Sequence, residues 1–239
     1  MRILVVNPNS STPVAEAIAR SARRSLLPTT EVVPLANPRG TRGIDCDFAN
    51  YQSTWSYQRA VLKKVEEEQI DAVVLCGFGN VGIFALKEAL SIPVVSISEA
   101  GMYIAAMMGH RFTIVTAMES TVPGLEDLLG LYGIEKKCCS VRAIHVDIEK
   151  CATEKEKTLN NLKDQILRVV EQDRAEVVLL GCGGLSGYDE ELQALVGIPV
   201  IDPVNVAAAF AEMMVRTGLC HSKKLKFAAP PQPLQNYLD

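Results

Sequence analysis

The chain has 239 residues, of which 48% are hydrophobic and 22% charged, and its formal net charge is −4. This composition is too apolar and too balanced in charge for a disordered chain, and a mildly acidic chain lacks the basic surface of a nucleic-acid binder. Apolar runs fall well short of the ~20 residues that span a membrane, so we expect a cytoplasmic protein that acts on small molecules, with no nucleic-acid or membrane partner.

Short β-branched runs alternate with amphipathic helical patterns along the whole chain. The predicted strands cover residues 3–6, 31–35, 71–75, 93–97, 112–116, 140–146, 177–180 and 199–201. The predicted helices cover residues 12–26, about 55–69, 83–90, 122–131, 154–173, 190–196 and 206–217. This alternation predicts an α/β fold of parallel sheets with helices on both faces.

The second half of the chain repeats the first. Residues 2–12 resemble residues 111–121 at an offset of 109 (120 − 11), and Cys76 lies 106 residues (182 − 76) before Cys182 in a similar segment. A duplicated chain of this kind is expected to form two pseudo-symmetric lobes that face each other across a cleft. The expected division assigns residues 1–98 and about 207–239 to the first lobe and residues 99–206 to the second.

Cys76 and Cys182 each follow a buried-type strand and precede glycines, where ligands bind in open parallel sheets. The total of seven cysteines is odd, no C-x-x-C pair occurs, and cytosolic thiols stay reduced, so disulfides are not expected. A thiolate and a thiol on opposite faces of a carbon acid can racemise it, because one removes the proton and the other returns one. The alternative is that both thiols are small buried hydrophobes.

The glycines after Cys76 allow a different interpretation. Residues 77–82 read G-x-G-x-x-G between a strand and a helix, and Glu99 follows 17 residues (99 − 82) later, as in a dinucleotide-binding fingerprint. NAD(P) binding is therefore one alternative. Against it, the following helix is short, the strand lies in mid-chain, and the matching second-lobe segment reads Cys-Gly-Gly.

Five segments form a combined pattern, namely Asn7-Pro-Asn-Ser-Ser11, Ile92-Pro-Val-Val95, Arg111-Phe-Thr-Ile-Val-Thr116, Leu180-Gly-Cys-Gly-Gly184 and Ile198-Pro-Val-Ile-Asp202. Together they resemble the aspartate/glutamate/hydantoin racemase superfamily, and most closely its hydantoin and allantoin racemase branch. The resemblance runs from residue 2 to about residue 225. It implies two Rossmann-like lobes, a homo-oligomer, and a cofactor-independent, metal-free racemase or epimerase of a hydantoin, allantoin or amino-acid derivative.

The resemblance also implies the site residues. Cys76 and Cys182 are the expected catalytic pair, and glycine N–H groups would stabilise the enolate. For Asn9 and Ser10, which follow the first strand, the alternative is a role in helix capping and the turn. For Phe78 the alternative is simple packing. The expected substrate-binding residues are Asn9, Ser10, Gly77, Phe78, Gly79, Asn80, Thr116, Gly183 and Gly184.

One position departs from the hydantoin racemase pattern. There the first cysteine directly precedes a Phe-x-Asp-Pro-Gly segment, whereas here Gly77 precedes Phe78 and Cys76 comes one residue earlier. Arylmalonate decarboxylases resemble this layout, with a glycine at the first position and only the second cysteine. The alternatives are therefore a decarboxylase or cis-trans isomerase that uses mainly Cys182, or a catalytically inactive ligand-binding relative.

Overall fold

A computed structural model of the chain describes residues 1–80 and 82–237. Val81, in the glycine-rich segment, and the last two residues of the C-terminal arm lie outside the described residues. The first half contains β1 (Arg2–Asn7), α1 (Thr12–Arg24), β2 (Glu31–Ala36), α2 (Asp47–Glu67), β3 (Ala72–Leu75), α3 (Ile83–Ala89), β4 (Val94–Ser96) and α4 (Ile97–Met108). The second half contains β5 (Phe112–Thr116), α5 (Val122–Tyr132), β6 (Cys138–Ala143), α6 (Ile148–Thr153), α7 (Lys155–Gln172), β7 (Val177–Leu180), α8 (Asp189–Val196), β8 (Val200–Ile201) and α9 (Pro203–Thr217).

The strands of the described residues form two parallel four-stranded sheets with matching topology. Their orders are β2-β1-β3-β4 and β6-β5-β7-β8, so each lobe repeats the same arrangement. The inner faces of both sheets share one apolar core with α1, α4, α5 and α9. Helices α2 and α3 cover the outer face of the first sheet, and α7 and α8 cover that of the second. The predicted α/β fold with two pseudo-symmetric lobes is confirmed.

Two helices exchange places between the lobes. Helix α4 follows the first sheet but packs against β7, whereas α9 follows the second sheet and packs against β3 and β4. The two helices also pack against each other in the shared core. This exchange of helices joins the two lobes. The expected division of the chain, with residues 99–206 in the second lobe, stays a prediction.

Helix α4 was absent from the predicted elements because its sequence shows no clear polar face. Its N-cap, Ser96, accepts hydrogen bonds from the backbone N–H groups of Ser98 and Glu99. Met102 and Ala105 are fully buried between the lobes, but the exposed positions carry the apolar residues Tyr103, Met107 and Met108, so the sequence lacks the apolar-polar alternation of a surface helix. Although this helix is apolar, no helix in residues 1–80 and 82–237 is long and apolar enough to cross a membrane.

The segment after α9 folds back over the edge of the first sheet. His221 Nε2 accepts the backbone N–H of Val94, at 2.8 Å, which satisfies a donor of the edge strand β4. Lys223 Nζ donates to the carbonyl oxygens of Lys87 and Glu88, at 2.6 and 3.1 Å, at the end of α3. The C-terminal segment therefore depends on an unprotonated His221.

We expect the stability of the protein to fall as the pH drops below about 6.5, the ordinary pKa of histidine. Burial, together with Lys87 and Lys223, lowers the pKa of His221, against a smaller opposite effect of Glu99. The unfolded chain then binds a proton at a pH where the folded chain does not, so acid favours unfolding. Thermal unfolding between pH 7 and pH 5 measures this effect. The variant His221→Gln, which keeps an acceptor, is expected to show a shallower dependence, and equal slopes would contradict the assignment.

Candidate active site

A cavity of about 620 Å³ opens between the lobes, where the carboxyl ends of β1, β3, β5 and β7 meet. Ligands bind at this edge in open parallel α/β sheets. Both predicted catalytic cysteines and most predicted substrate-binding residues line the cavity. The residues in this set are Asn9, Cys76, Gly77, Phe78, Gly79, Thr116, Cys182, Gly183 and Gly184.

Ser10 and Asn80 do not belong to the cavity lining, contrary to expectation. Ser10 Oγ donates to the carbonyl of Thr41, at 3.2 Å. Asn80 adopts a left-handed backbone conformation with φ +60° and donates from Nδ2 to the hydroxyl of Tyr132. Both side chains thus have partners that stabilise loops beside the cavity.

The first turns of α2 also line the cavity and were missed in the sequence. Asp47, Asn50 and Tyr51 lie three and four residues apart, the spacing of one helix face. The sequence pattern started this helix near Trp55, because exposed aromatic side chains interrupt its apolar stripe. Just before it, the backbone carbonyl of Asp45 accepts a hydrogen bond from Ser120 Oγ of the second lobe, at 2.6 Å, so this loop bridges the two lobes.

Cys182 lies two residues beyond the end of β7, after Gly181, at the start of a tight 3-10 turn over Gly183–Leu185. The backbone N–H of Gly184 donates to its Sγ at 3.3 Å. Burial raises the pKa of the Cys182 thiol, and the N–H groups of Gly184 and Leu185 lower it in part. These donors favour the thiolate over the thiol. The thiolate is the form that removes a proton.

Cys76 presents its backbone to the cavity but directs its thiol into the shared core. The side chain is 4% exposed, and its Sγ lies 3.8 Å from the carbonyl of Val74. Burial and the nearby Asp202 carboxylate raise the pKa of Cys76 well above the ordinary thiol range. This thiol stays protonated at neutral pH.

Strand register shows which first-lobe residue is equivalent to Cys182. The backbone N–H of Cys76 donates to β1 at 2.9 Å, and that of Gly181 donates to β5 at 2.8 Å. Cys76 and Gly181 therefore hold equivalent positions, and so do the next residues, Gly77 and Cys182. A one-residue offset in an extended segment reverses side-chain direction, which accounts for the inward thiol of Cys76.

Two helix N-termini reach the cavity, one from each lobe. Asn9 and Val14 line it at the start of α1, and Thr121 and Pro123 line it at the start of α5. The helix dipole at these ends favours negative charge. Because Asn9 Oδ1 already accepts two hydrogen bonds, at 2.8 and 2.9 Å, its Nδ2 is the atom left to meet a carbonyl oxygen of a ligand.

Formal charge at the cavity is negative. Among the described lining residues there is no lysine, arginine or histidine, whereas Asp47 and Asp127 contribute two carboxylates. Within residues 1–80 and 82–237, no three histidine, cysteine or acidic side chains are grouped to hold a metal ion. The arrangement offers a thiol and backbone donors to a ligand that needs no cationic partner.

Alkylation of Cys182 is expected to accelerate with pH through about 8.5, the usual thiol pKa, and to keep rising above it. The reason is that only the thiolate reacts and burial raises the pKa of this thiol. Peptide mass spectrometry after timed exposure to iodoacetamide measures the rate at each pH. Cys76 is expected to react more slowly throughout. A rate that levels off below pH 8 would show an acidic thiol instead.

Comparison with known proteins gives matches over nearly the whole chain. Residues 3–211 match the family model described as Asp/Glu/Hydantoin racemase. A hydantoin racemase of Pseudomonas sp. (strain NS671) is 32% identical, with 96% of this chain and 92% of that protein covered. The crystal structure of allantoin racemase from Pseudomonas fluorescens is 36% identical, covers 98% of both chains and has a TM-score of 0.93.

The likeness to a more distant protein concerns the fold alone. A crystal structure of arylmalonate decarboxylase is 19% identical, with a TM-score of 0.62 and 91% of this chain and 94% of that one covered. The family match and the 32% identical relative, by contrast, establish membership, as the sequence resemblance indicated. The chain belongs to the Asp/Glu/hydantoin racemase family and is an isomerase of the racemase type.

Proposed function

We propose that the protein racemises or epimerises a cyclic carbon acid, namely a 5-substituted hydantoin, allantoin or a related amino-acid derivative, without a cofactor. The observation that carries this proposal is the position of Cys182, whose sulfur accepts an N–H bond at the end of β7 in the cavity between the lobes. A C–H bond beside a carbonyl becomes acidic enough for a thiolate when its enolate is stabilised.

In the proposed reaction, the Cys182 thiolate takes the proton from the stereogenic carbon. The electron pair moves onto the neighbouring carbonyl oxygen as an enolate, which the helix dipoles at the starts of α1 and α5 stabilise. A protonated group on the opposite face then returns a proton and gives the other enantiomer. Cys76 is the predicted proton donor, and its raised pKa keeps the thiol in the protonated form that a donor needs. For this role its sulfur must turn from the core toward the cavity.

The charge of the cavity supports a neutral ring as substrate. A free amino acid or an arylmalonate carries carboxylates, and no cationic side chain lines the described part of the cavity to receive one. Asp47 and Asp127 would repel such a substrate. The ring carbonyls of a hydantoin match Asn9 Nδ2, and its amide and carbonyl groups match the side chain of Asn50, which can both donate and accept hydrogen bonds.

A second candidate is chemistry that uses a single thiol, such as decarboxylation or cis-trans isomerisation. Its supporting observation is Gly77 at the position equivalent to Cys182. Because residue 77 is a glycine, the first lobe has no thiol at the position equivalent to Cys182. A Cβ at this position would lie 2.8 Å from Cγ of Pro8, so the proline ring occupies that space.

Deuterium labelling separates the two mechanisms. One enantiomer of a 5-substituted hydantoin is incubated in deuterated water, with an enzyme-free control. If two groups act on opposite faces, early product of inverted configuration carries deuterium while recovered substrate keeps its proton. If one thiol serves both faces, recovered substrate is labelled as well. Carbon dioxide released from an arylmalonate, without inversion of any hydantoin, would favour the second candidate.

The same proposal includes a homo-oligomer in the cytoplasm, as the family resemblance implies. Exposed aromatic side chains along α2, namely Phe48, Tyr51 and Trp55, provide an apolar surface that a second copy can cover. Sedimentation measures the assembly directly. A single species of 26.0 kDa would contradict it.

A further inference from the structure

Asp202 is a buried carboxylate that the proposed reaction does not use, yet it contacts the loop that carries Cys182. It follows β8 and is only 2% exposed. Its Oδ2 accepts the backbone N–H of Gly187, at 2.8 Å, where the loop from Cys182 ends. Gly187 has φ +90°, a left-handed conformation that favours glycine. The carboxylate thus fixes the far end of the catalytic loop.

The same carboxylate also binds α1, whose start forms the opposite wall of the cavity. Ser21 Oγ donates to Asp202 Oδ2 at 2.5 Å, and Arg24 approaches it at 3.3 Å. Arg24 reaches further, to Asp189 at 2.7 Å, at the start of α8 just after the loop. One buried group therefore joins α1 to both the end of the Cys182 loop and the helix that follows it.

The first lobe shows that capping alone does not require this residue. Ser96, the last residue of β4, holds the equivalent position and caps α4 by accepting hydrogen bonds from the N–H groups of Ser98 and Glu99. Asp202 caps α9 in the same way, with Oδ1 accepting from Val204 at 2.9 Å. Only the longer carboxylate has a second oxygen that extends to a loop glycine. This additional hydrogen bond to Gly187 occurs in the lobe that carries Cys182.

We propose that Asp202 is a positioning residue for Cys182, which holds the loop Cys182–Gly187 against α1 and so sets the thiol across the cavity from the start of that helix. The inference rests on the proposed function for its effect on catalysis. Close packing at the other end of the loop supports it, because a Cβ on Gly183 would lie 3.3 Å from Ile18 of α1. The loop is thus packed against α1 at one end and hydrogen-bonded through Asp202 at the other.

The variant Asp202→Ser reproduces the first-lobe residue: it keeps a helix cap and removes the contact with Gly187. The matched control is Ser96→Ala, which removes the first-lobe cap and leaves the loop untouched. Amide hydrogen exchange of peptides covering residues 181–189 is measured for both, together with kcat and KM for a hydantoin. In Asp202→Ser we expect exchange at least tenfold faster and kcat at least tenfold lower, with KM changed less than threefold. The control should match the wild type in all three.

The exchange measurement needs no substrate, so it tests the positioning role even if the wild type racemises no hydantoin. Asp202→Asn, which keeps the size of the side chain, serves as a second variant if the serine variant fails to fold. Unchanged exchange in the loop would overturn the proposal. Equal losses of kcat in Asp202→Ser and Ser96→Ala would also overturn it, because they would reflect general destabilisation.

Discussion

Replacing Cys182 by serine is expected to lower racemisation by about 10²–10⁴-fold, the usual contribution of a general acid or base. A serine hydroxyl ionises far less readily than a thiol, so the proton-accepting form is lost. The fold should persist, because the hydroxyl oxygen can still accept the N–H of Gly184 that now reaches the sulfur at 3.3 Å. Enantiomer interconversion followed by polarimetry, with thermal unfolding measured in parallel, separates chemistry from stability.

The matched control is Cys220→Ser, which changes an exposed thiol outside the cavity lining. This variant should retain wild-type activity. Cys76→Ser, assayed beside it, is expected to reduce activity if that thiol is the second proton donor. Activity of Cys182→Ser within tenfold of the wild type would contradict the role assigned to Cys182.

Replacing Gly183 by alanine is expected to lower kcat/KM by about a hundredfold, since a displacement of 1 Å in a reacting group can have an effect of that size. The added Cβ would lie 2.8 Å from the backbone carbonyl oxygen of Cys76 and 3.3 Å from Cδ1 of Ile18. A backbone oxygen cannot rotate away as a side chain would. The Cys182 loop must therefore shift away from β3, and the thiol moves with it.

The corresponding control is Gly130→Ala, in the interior of α5. A Cβ there meets no atom within 4 Å, so activity should be unchanged and stability should rise by about 0.5–1 kcal/mol through helix propensity. Steady-state kinetics and thermal unfolding of both variants provide the comparison. A Gly183→Ala enzyme with wild-type kcat/KM would show that the loop has room to adjust.

Much of the fold could be predicted because its signals are local. β-branched strand runs and their repeated spacing placed every strand of the described residues near its observed position. The repeat also predicted two facing lobes, because parallel strands bring their carboxyl ends to one edge. Cys182 was located by the same reasoning, since it lies two residues beyond the end of β7. Each of these inferences depends on neighbours in sequence.

The parts that were missed depend on contacts between distant residues. Helix α4 buries one face between the lobes and carries apolar residues at its exposed positions as well, so its sequence has no polar face that would mark it. Ser10 and Asn80 follow the expected strands, but their partners, Thr41 and Tyr132, lie far away in sequence. The one-residue offset of Cys76 leaves the direction of its thiol open in the sequence, and the register between β1 and β3 provides it.

The labelling of a single hydantoin enantiomer in deuterated water tests the central claim most directly. The claim is that this cavity exchanges the proton on a carbon acid through Cys182. The account predicts product of inverted configuration that carries deuterium at the stereogenic carbon, formed by the wild type and not by Cys182→Ser. Inversion that retains the original proton, or equal labelling by the serine variant, would contradict it.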